Sequence, residues 1–199
     1  VHSIIEEFNT TYPNSLPENA LDILLSIGCN HFDAEDLSED IETFWWNNFV
    51  KIAEWIVLQE QPYRSEITSV HNEVKGEISY TLPGGAFKFT AKADRVDVLK
   101  NGKINIIDYK TGKLPAKTAV LKRQAMQLPI EGLIAEKGSF EGVPRGEVEN
   151  VIYWQLGKQD NIYSAKKDDF LEKSEEYLLR LIEKFDSSNM PYHPKPLPK

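Results

Sequence analysis

ADRVDVLKNGKINIIDYKTG, residues 93–112, reads as two β-strands joined by a tight turn. Asn101-Gly102 suits the left-handed backbone of a short hairpin, and apolar residues flank it on both sides: Val96, Val98 and Leu99 before, Ile104, Ile106 and Ile107 after. The outgoing strand ends at Asp108-Tyr109-Lys110. An antiparallel return brings Asp108 beside Asp94, and the two-residue period of a strand points Asp108 and Lys110 to the same face. Two carboxylates placed this way can share a divalent cation. Magnesium takes hard oxygen ligands and keeps several waters, so one or two carboxylates plus a substrate phosphate suit it. Zinc fits less well, because thiol ligands and a second nearby histidine are lacking. An ammonium facing the same phosphate can orient the attacking water and offset charge on a phosphorane-like transition state, which is the chemistry of phosphodiester hydrolysis.

Upstream, Phe87, Phe89, Ala91 and Ala93 alternate with polar residues as in a half-buried strand. The turn Leu82-Pro83-Gly84-Gly85 links it to a strand carrying Ile78 and Tyr80, which gives three strands in meander order. The first third reads as helical. Ile4, Ile5 and Phe8 share one face of a helix from His2 to Phe8; Leu21, Leu24 and Leu25 follow Pro17, a common first helical residue; Ile41, Phe44, Trp45, Phe49, Ile52, Ala53 and Ile56 recur along a helix from Ile41 to Gln59, stopped by Pro62. Downstream, residues 124–137 form a helix closed by Gly138. Val151 to Trp154 is a buried strand, and residues 168–185 form an amphipathic helix with Phe170, Leu171, Leu178, Leu181, Ile182 and Phe185 inward. The expected fold is α/β, a central sheet flanked by helices with an α-helical N-terminal region. The expected organisation is a single domain over 1–199: a helical part at 1–62, a core at 66–187 and an extended proline-rich tail at 188–199.

With 23 basic and 31 acidic side chains the net charge is −8, so nucleic acid would be held at a local site rather than over the whole surface. Residues 109–130 offer that site, carrying Lys110, Lys113, Lys117, Lys122 and Arg123 without an acid. Plain solubility is the other reading of that segment. No apolar run is long enough to span a bilayer, and a soluble, cytoplasmic protein is expected. Cys29 is the single cysteine, which rules out an internal disulfide and a four-thiolate zinc or iron–sulfur site. Trp45, Trp46 and Phe49 read as core rather than as a stacking platform for bases. Glu39-Asp40 and Lys166-Lys167 read as solvated faces, and His31, His71 and His193 as uninvolved.

Asp94, the following hydrophobic strand and Asp108-Tyr109-Lys110 resemble the PD-(D/E)xK nuclease signature. The wording ADRVD…IIDYKTGK…QLPIEG is similar to the RecB-type branch, and to the nuclease domain of alphaproteobacterial AddB above all. VHSIIEEFNTTYP resembles that family's first motif, a helix whose histidine is a metal ligand, and WWNNFVKIAEW resembles the segment ahead of its sheet. The resemblance implies a mixed sheet of the PD-(D/E)xK type. It further implies Mg²⁺ or Mn²⁺ held by His2, Asp94, Asp108 and the backbone carbonyl of Tyr109, with Lys110 as the catalytic lysine and Gln127 organising the site beside it. Glu73 matches an acidic position on an early strand. Glu131 stands where the family has a tyrosine, and the four-cysteine iron–sulfur staple of many AddB-type domains cannot form. By the same resemblance the chain is part of a longer protein, its partners being DNA, single-stranded and delivered by a motor, and an AddA-like helicase–nuclease subunit.

Three functions accommodate these residues: a Mg²⁺-dependent nuclease domain of an AddAB/RecBCD-like enzyme for double-strand break repair, a stand-alone exonuclease of the same superfamily, and a catalytically inactive DNA-binding or scaffolding module.

Overall fold

A computed structural model describes residues 1–33, 39–166 and 169–186. Three helices come first: α1 (His2–Thr11), α2 (Ala20–Asp33) and α3 (Glu39–Tyr63). A five-stranded sheet follows, made of β1 (Ile67–Leu82), β2 (Gly85–Leu99), β3 (Ile104–Lys110), β4 (Val148–Gln155) and β5 (Gln159–Ser164). Helices α4 (Lys117–Leu121) and α5 (Gln127–Glu136) lie between β3 and β4, and α6 (Phe170–Asp186) comes last. Spatial order equals chain order, β1-β2-β3-β4-β5. All neighbours are antiparallel except β3 and β4, which run parallel. A parallel pair needs a long crossover, and the α4–α5 segment supplies it. The sheet is therefore mixed, as expected.

Both faces of the sheet are covered, which is why β3 is buried along nearly its whole length. On one face Val96, Val98, Ile104, Ile106, Val151 and Tyr153 pack with Leu128, Leu133 and Ile134 of α5 and with Phe170, Leu171, Leu178 and Ile182 of α6. On the other, Ile107, Tyr109, Ile152 and Trp154 meet Ile4, Ile5 and Phe8 of α1, Leu24 and Ile27 of α2, and Phe49, Ala53 and Ile56 of α3. The N-terminal helices are thus one layer of the same sandwich rather than a separate cap.

Several expectations needed correction. Phe44 and Trp45 are not core: they are 63% and 48% exposed, because α2 covers the neighbouring stripe instead, where Phe32 packs on Trp46 and Phe49. Leu181 and Phe185 sit at the margin of α6, 37% and 41% exposed, beside the similarly exposed Phe87 at the hairpin tip. Pro62 lies inside the last turn of α3 and the chain passes into a 3₁₀ turn at Arg64–Glu66, so the helix runs four residues past the expected end at Gln59. Helix α2 begins at Ala20, three residues beyond Pro17, and α5 begins at Gln127 rather than 124. Strand β1 is long because it pairs with β2 from Ile67 onward; its polar first half carries no clear alternation, and β5 gave no pattern either. The side chains of Glu39, Asp40 and Ile41, together with Lys167, Asp168 and the 188–199 tail with His193, lie outside the described residues.

Candidate active site

The turn that sets the site is the one at Asn101-Gly102. Gly102 takes φ +79°, the Leu99 amide donates to the Lys103 carbonyl at 2.8 Å, and the Asn101 side chain accepts from the Lys103 amide at 2.9 Å. That fixes the register of β2 on β3 with Arg95 opposite Ile107, so Asp94 and Asp108 are the next facing pair. The strand is irregular at this point. Ala93 and Val96 both pack into the α5–α6 core, so the side-chain alternation of β2 slips by one between them. Across the ladder Glu73, bracketed by the pairs Asn72–Arg95 and Val74–Ala93, takes φ +52° and ion-pairs with Lys92. The slip turns Asp94 toward the end of β3, where its carboxylate accepts the Tyr109 amide at 2.8 Å.

His2, the first residue of α1, completes one half of the site. Its Nε2 is 2.9 Å from the Tyr109 carbonyl oxygen and 3.4 Å from Asp94 Oδ2. Hydrogen bonding to Asp94 raises the His2 pKa, burial works against it, and the Tyr109 carbonyl adds to the rise. The other half surrounds Asp108. Lys110 Nζ lies 2.9 Å from Oδ1 and 2.8 Å from Oδ2, but only the first contact has hydrogen-bond geometry, and Oδ2 is buried without such a partner. The Gln127 amide donates to Asp108 Oδ1 and accepts from Lys110 at 3.2 Å. Burial raises the Asp108 pKa, Lys110 lowers it, and the Asp94 charge raises it again.

Among the described residues no three His, Cys, Asp or Glu side chains form a ready-made cation site. The physical reason is local: Lys110 and Gln127 hold the Asp108 carboxylate, and the fourth candidate ligand is a backbone carbonyl. The donor set fits Mg²⁺ or Mn²⁺ all the same. Adjacent ligands of an octahedral ion with bonds near 2.1 Å stand about 3 Å apart, close to the His2–Tyr109 and His2–Asp94 spacings, and the unpartnered Asp108 Oδ2 offers a further oxygen. Histidine binds a cation only in its neutral form, so proton and metal compete there.

Two features of the site were not anticipated. Glu131 is 2% exposed, accepts from Gln127 at 3.2 Å, and has its second oxygen unpartnered. Burial, and then the Asp108 charge, pushes its pKa up to about 8. An acid four residues after Gln127 on an otherwise apolar helix is the signal that gives it away, since that spacing shares a face. A folded-state pKa above the unfolded value means the folded chain holds more protons between about pH 4.5 and 8, so this group costs stability as pH rises through that window. Glu131→Gln is expected to remove that cost: in EDTA, a pH series of urea unfolding should show the variant overtaking the parent above pH 6, by on the order of a few kcal/mol. Parallel curves would deny the acid its buried, protonated state.

Behind the site lies a buried ionic network. Arg95 and Asp97 are fully buried on the face of β2 that packs on the N-terminal helices and pair at 2.7 Å; Glu60 of α3 pairs with Arg95 and, at 2.6 Å, with Arg64. The Tyr109 hydroxyl receives 3.3 Å contacts from Arg95 and from Asn9 of α1, and Arg64 reaches Asn9 and the Pro13 carbonyl. Two cations and two anions balance, and they join α1, α3 and the sheet. The helix that carries His2 is thereby tied to the residue whose carbonyl His2 meets.

The basic segment is divided by the fold. Lys117 and Arg123 line a cleft with Leu121, Ile162, Tyr163 and Phe170, whereas Lys113 and Lys122 are exposed outside it. Arg123 is partly used internally, donating to the Leu121 carbonyl at 2.8 Å. No helix among the described residues is long and apolar enough to cross a membrane.

Uncharacterized proteins of Rickettsia bellii (strain RML369-C) and Rickettsia conorii (strain ATCC VR-613 / Malish 7) are each 27% identical over 140 and 144 residues, 70% of this chain. A Rickettsia typhi (strain ATCC VR-144 / Wilmington) protein, also uncharacterized, is 27% identical over 160 residues, 76% of the chain. The matches take up 17–18% of those relatives' lengths, so the chain spans under a fifth of them. The crystal structure of SSO0001 aligns with 90% of this chain and 71% of its own at 14% identity, with a TM-score of 0.33. The family model of the PD-(D/E)XK nuclease superfamily matches residues 1–197, taking in α1 with His2, the paired strands with Asp94 and Asp108, and the Gln127 helix; the chain belongs to that superfamily.

Proposed function

We propose that the chain is the Mg²⁺- or Mn²⁺-dependent nuclease domain of an AddAB/RecBCD-like helicase–nuclease that processes DNA double-strand breaks. Superfamily membership supports phosphodiester chemistry, and one observation carries the site: at the end of two paired strands His2 meets Asp94 and the Tyr109 carbonyl, and on the adjoining strand Asp108 is held by Lys110 and Gln127. The cation, when bound by His2, Asp94, Asp108 and the Tyr109 carbonyl, supplies Lewis acidity and lowers the pKa of a coordinated water. Lys110 positions the attacking water and offsets charge on the phosphoryl oxygens, while Gln127 holds the lysine in register with Asp108. The water oxygen bonds to phosphorus and releases a proton to solvent, one P–O ester bond breaks, and the leaving alkoxide takes up a proton from solvent.

Single-stranded DNA delivered by an AddA-like motor is the proposed substrate. The test is cleavage of end-labelled linear DNA by the purified protein with Mg²⁺, with Mn²⁺ and with EDTA, alone and with the co-purified motor subunit. Metal-dependent cutting of single strands, enhanced by ATP through the partner, is the expected result. Cutting without any motor association would favour a stand-alone exonuclease, and no cutting under any condition would leave only the scaffolding alternative.

Lys113, Lys117, Lys122 and Arg123 are proposed to hold the DNA backbone. Replacing Lys117, Lys122 and Arg123 together by alanine should lower the slope of log K against log[salt] by about 2, near 0.7 per lost phosphate contact on a single strand. Fluorescence titrations at four salt concentrations measure it, and an unchanged slope returns the segment to a solubility role.

A further inference from the structure

A cavity of about 390 Å³ opens beside the site, between the start of α3 and the turn joining β4 to β5. Its wall is continuous with the candidate ligands: Val1 precedes His2, and Thr111 and Gly112 directly follow Lys110. Trp45, Ile52 and Leu156 supply apolar surface, and Asn48, Lys51 and Lys158 supply polar groups. Trp45 is 48% exposed, although the adjacent Trp46 is packed against Phe32 and Phe49. Lys51 and Lys158 are exposed, and among the described residues neither pairs with a carboxylate. The fold also holds the far wall in place. Gly157 takes φ +74° against Ile52 of α3, and the Lys158 amide closes the turn on the Gln155 carbonyl at 3.0 Å. On the near side Gln155 donates to the Gly112 carbonyl at 2.8 Å.

We infer that this cavity is a nucleobase subsite for single-stranded DNA, with Trp45 as the stacking face and Lys51 and Lys158 as contacts for the flanking phosphates. A half-exposed indole and two lysines lining one cavity, whose wall adjoins His2 and Lys110, have the chemistry that holds an unpaired base beside its phosphate. A duplex keeps its bases stacked away from such a cavity, so the subsite selects unpaired strands. The inference rests on the nuclease reading of the neighbouring site.

Binding in EDTA separates the two. A twelve-nucleotide oligo(dT) and an abasic oligonucleotide of equal length are titrated against the parent, Trp45→Ala, Trp45→Phe and the Lys51→Ala/Lys158→Ala pair. Trp45→Ala should weaken oligo(dT) binding about tenfold and leave abasic binding unchanged. Trp45→Phe should restore most of the loss, and the double lysine variant should weaken both ligands. If Trp45→Ala binds oligo(dT) as the parent does, or loses both ligands equally, the subsite is overturned. Cleavage by the parent in Mg²⁺ is followed in parallel. Cleavage with Trp45-independent binding removes the subsite alone, and Trp45-dependent binding with no cleavage upholds it while removing the nuclease reading.

Discussion

Lys110→Ala is expected to cut Mg²⁺-dependent cleavage of single-stranded DNA by about 10²–10³-fold, the usual cost of deleting one preorganised charge that meets the transition state. The side chain is placed for this by three contacts, to both Asp108 oxygens and to Gln127, and by the Tyr153 ring 5.8 Å from Nζ. The fold should survive. Lys110 is only part-buried, at the last position of β3, so the unfolding midpoint should change little. The diagnostic pattern is a fall in kcat with DNA binding nearly unchanged, read from single-turnover kinetics at saturating protein. A variant that cuts as fast as the parent would remove Lys110 from the chemistry.

The largest stability effect is expected at Glu60. Its two oxygens serve Arg64 and Arg95, all three groups being buried, so Glu60→Ala leaves Asp97 as the one carboxylate facing two buried guanidinium groups among the described residues. Breaking a buried pair on one side costs about 3–5 kcal/mol, because the remaining charge stays desolvated without its partner. In a domain of this size that lowers Tm by roughly 10 °C. Function should suffer too, since the same network carries the Tyr109 hydroxyl and Asn9, and through them the seat of α1 and His2. Tyr109→Phe is the milder companion: it removes the hydroxyl alone and should weaken Mn²⁺ binding more than it lowers Tm. A Glu60→Ala loss below 1 kcal/mol in urea unfolding would mean that water enters and solvates the network.

The strand pair was legible because its determinants are local. Asn101-Gly102 fixes the turn, the turn fixes the register, and the register brings Asp94 to Asp108; nothing distant has to be known. His2 and Gln127 were placed through family resemblance rather than by pattern, since a histidine at a helix start and a glutamine at another have no period that points to a site. The ionic network stayed hidden for a different reason. Arg95 and Asp97 alternate with Val96 and Val98 as the polar side of a half-buried strand would, but Glu60, the partner of Arg95, is 35 positions away, and no spacing rule connects a strand to a preceding helix. Trp45 was misjudged because helical periodicity identifies an apolar stripe without saying how wide a stripe the neighbouring helix covers. The slip in β2 at Asp94 was equally invisible: it depends on Glu73 turning left-handed across the ladder, in a strand whose polar sequence gives no alternation to read.

A cation is expected to bind where the ends of β2 and β3 meet the first turn of α1. Anomalous diffraction from crystals soaked in Mn²⁺ tests it most directly. A manganese peak within about 2.3 Å of His2 Nε2, Asp94, Asp108 and the Tyr109 carbonyl oxygen, with Lys110 displaced from at least one Asp108 oxygen, is the predicted result. A peak elsewhere, or none there at a concentration that supports cleavage, would contradict it.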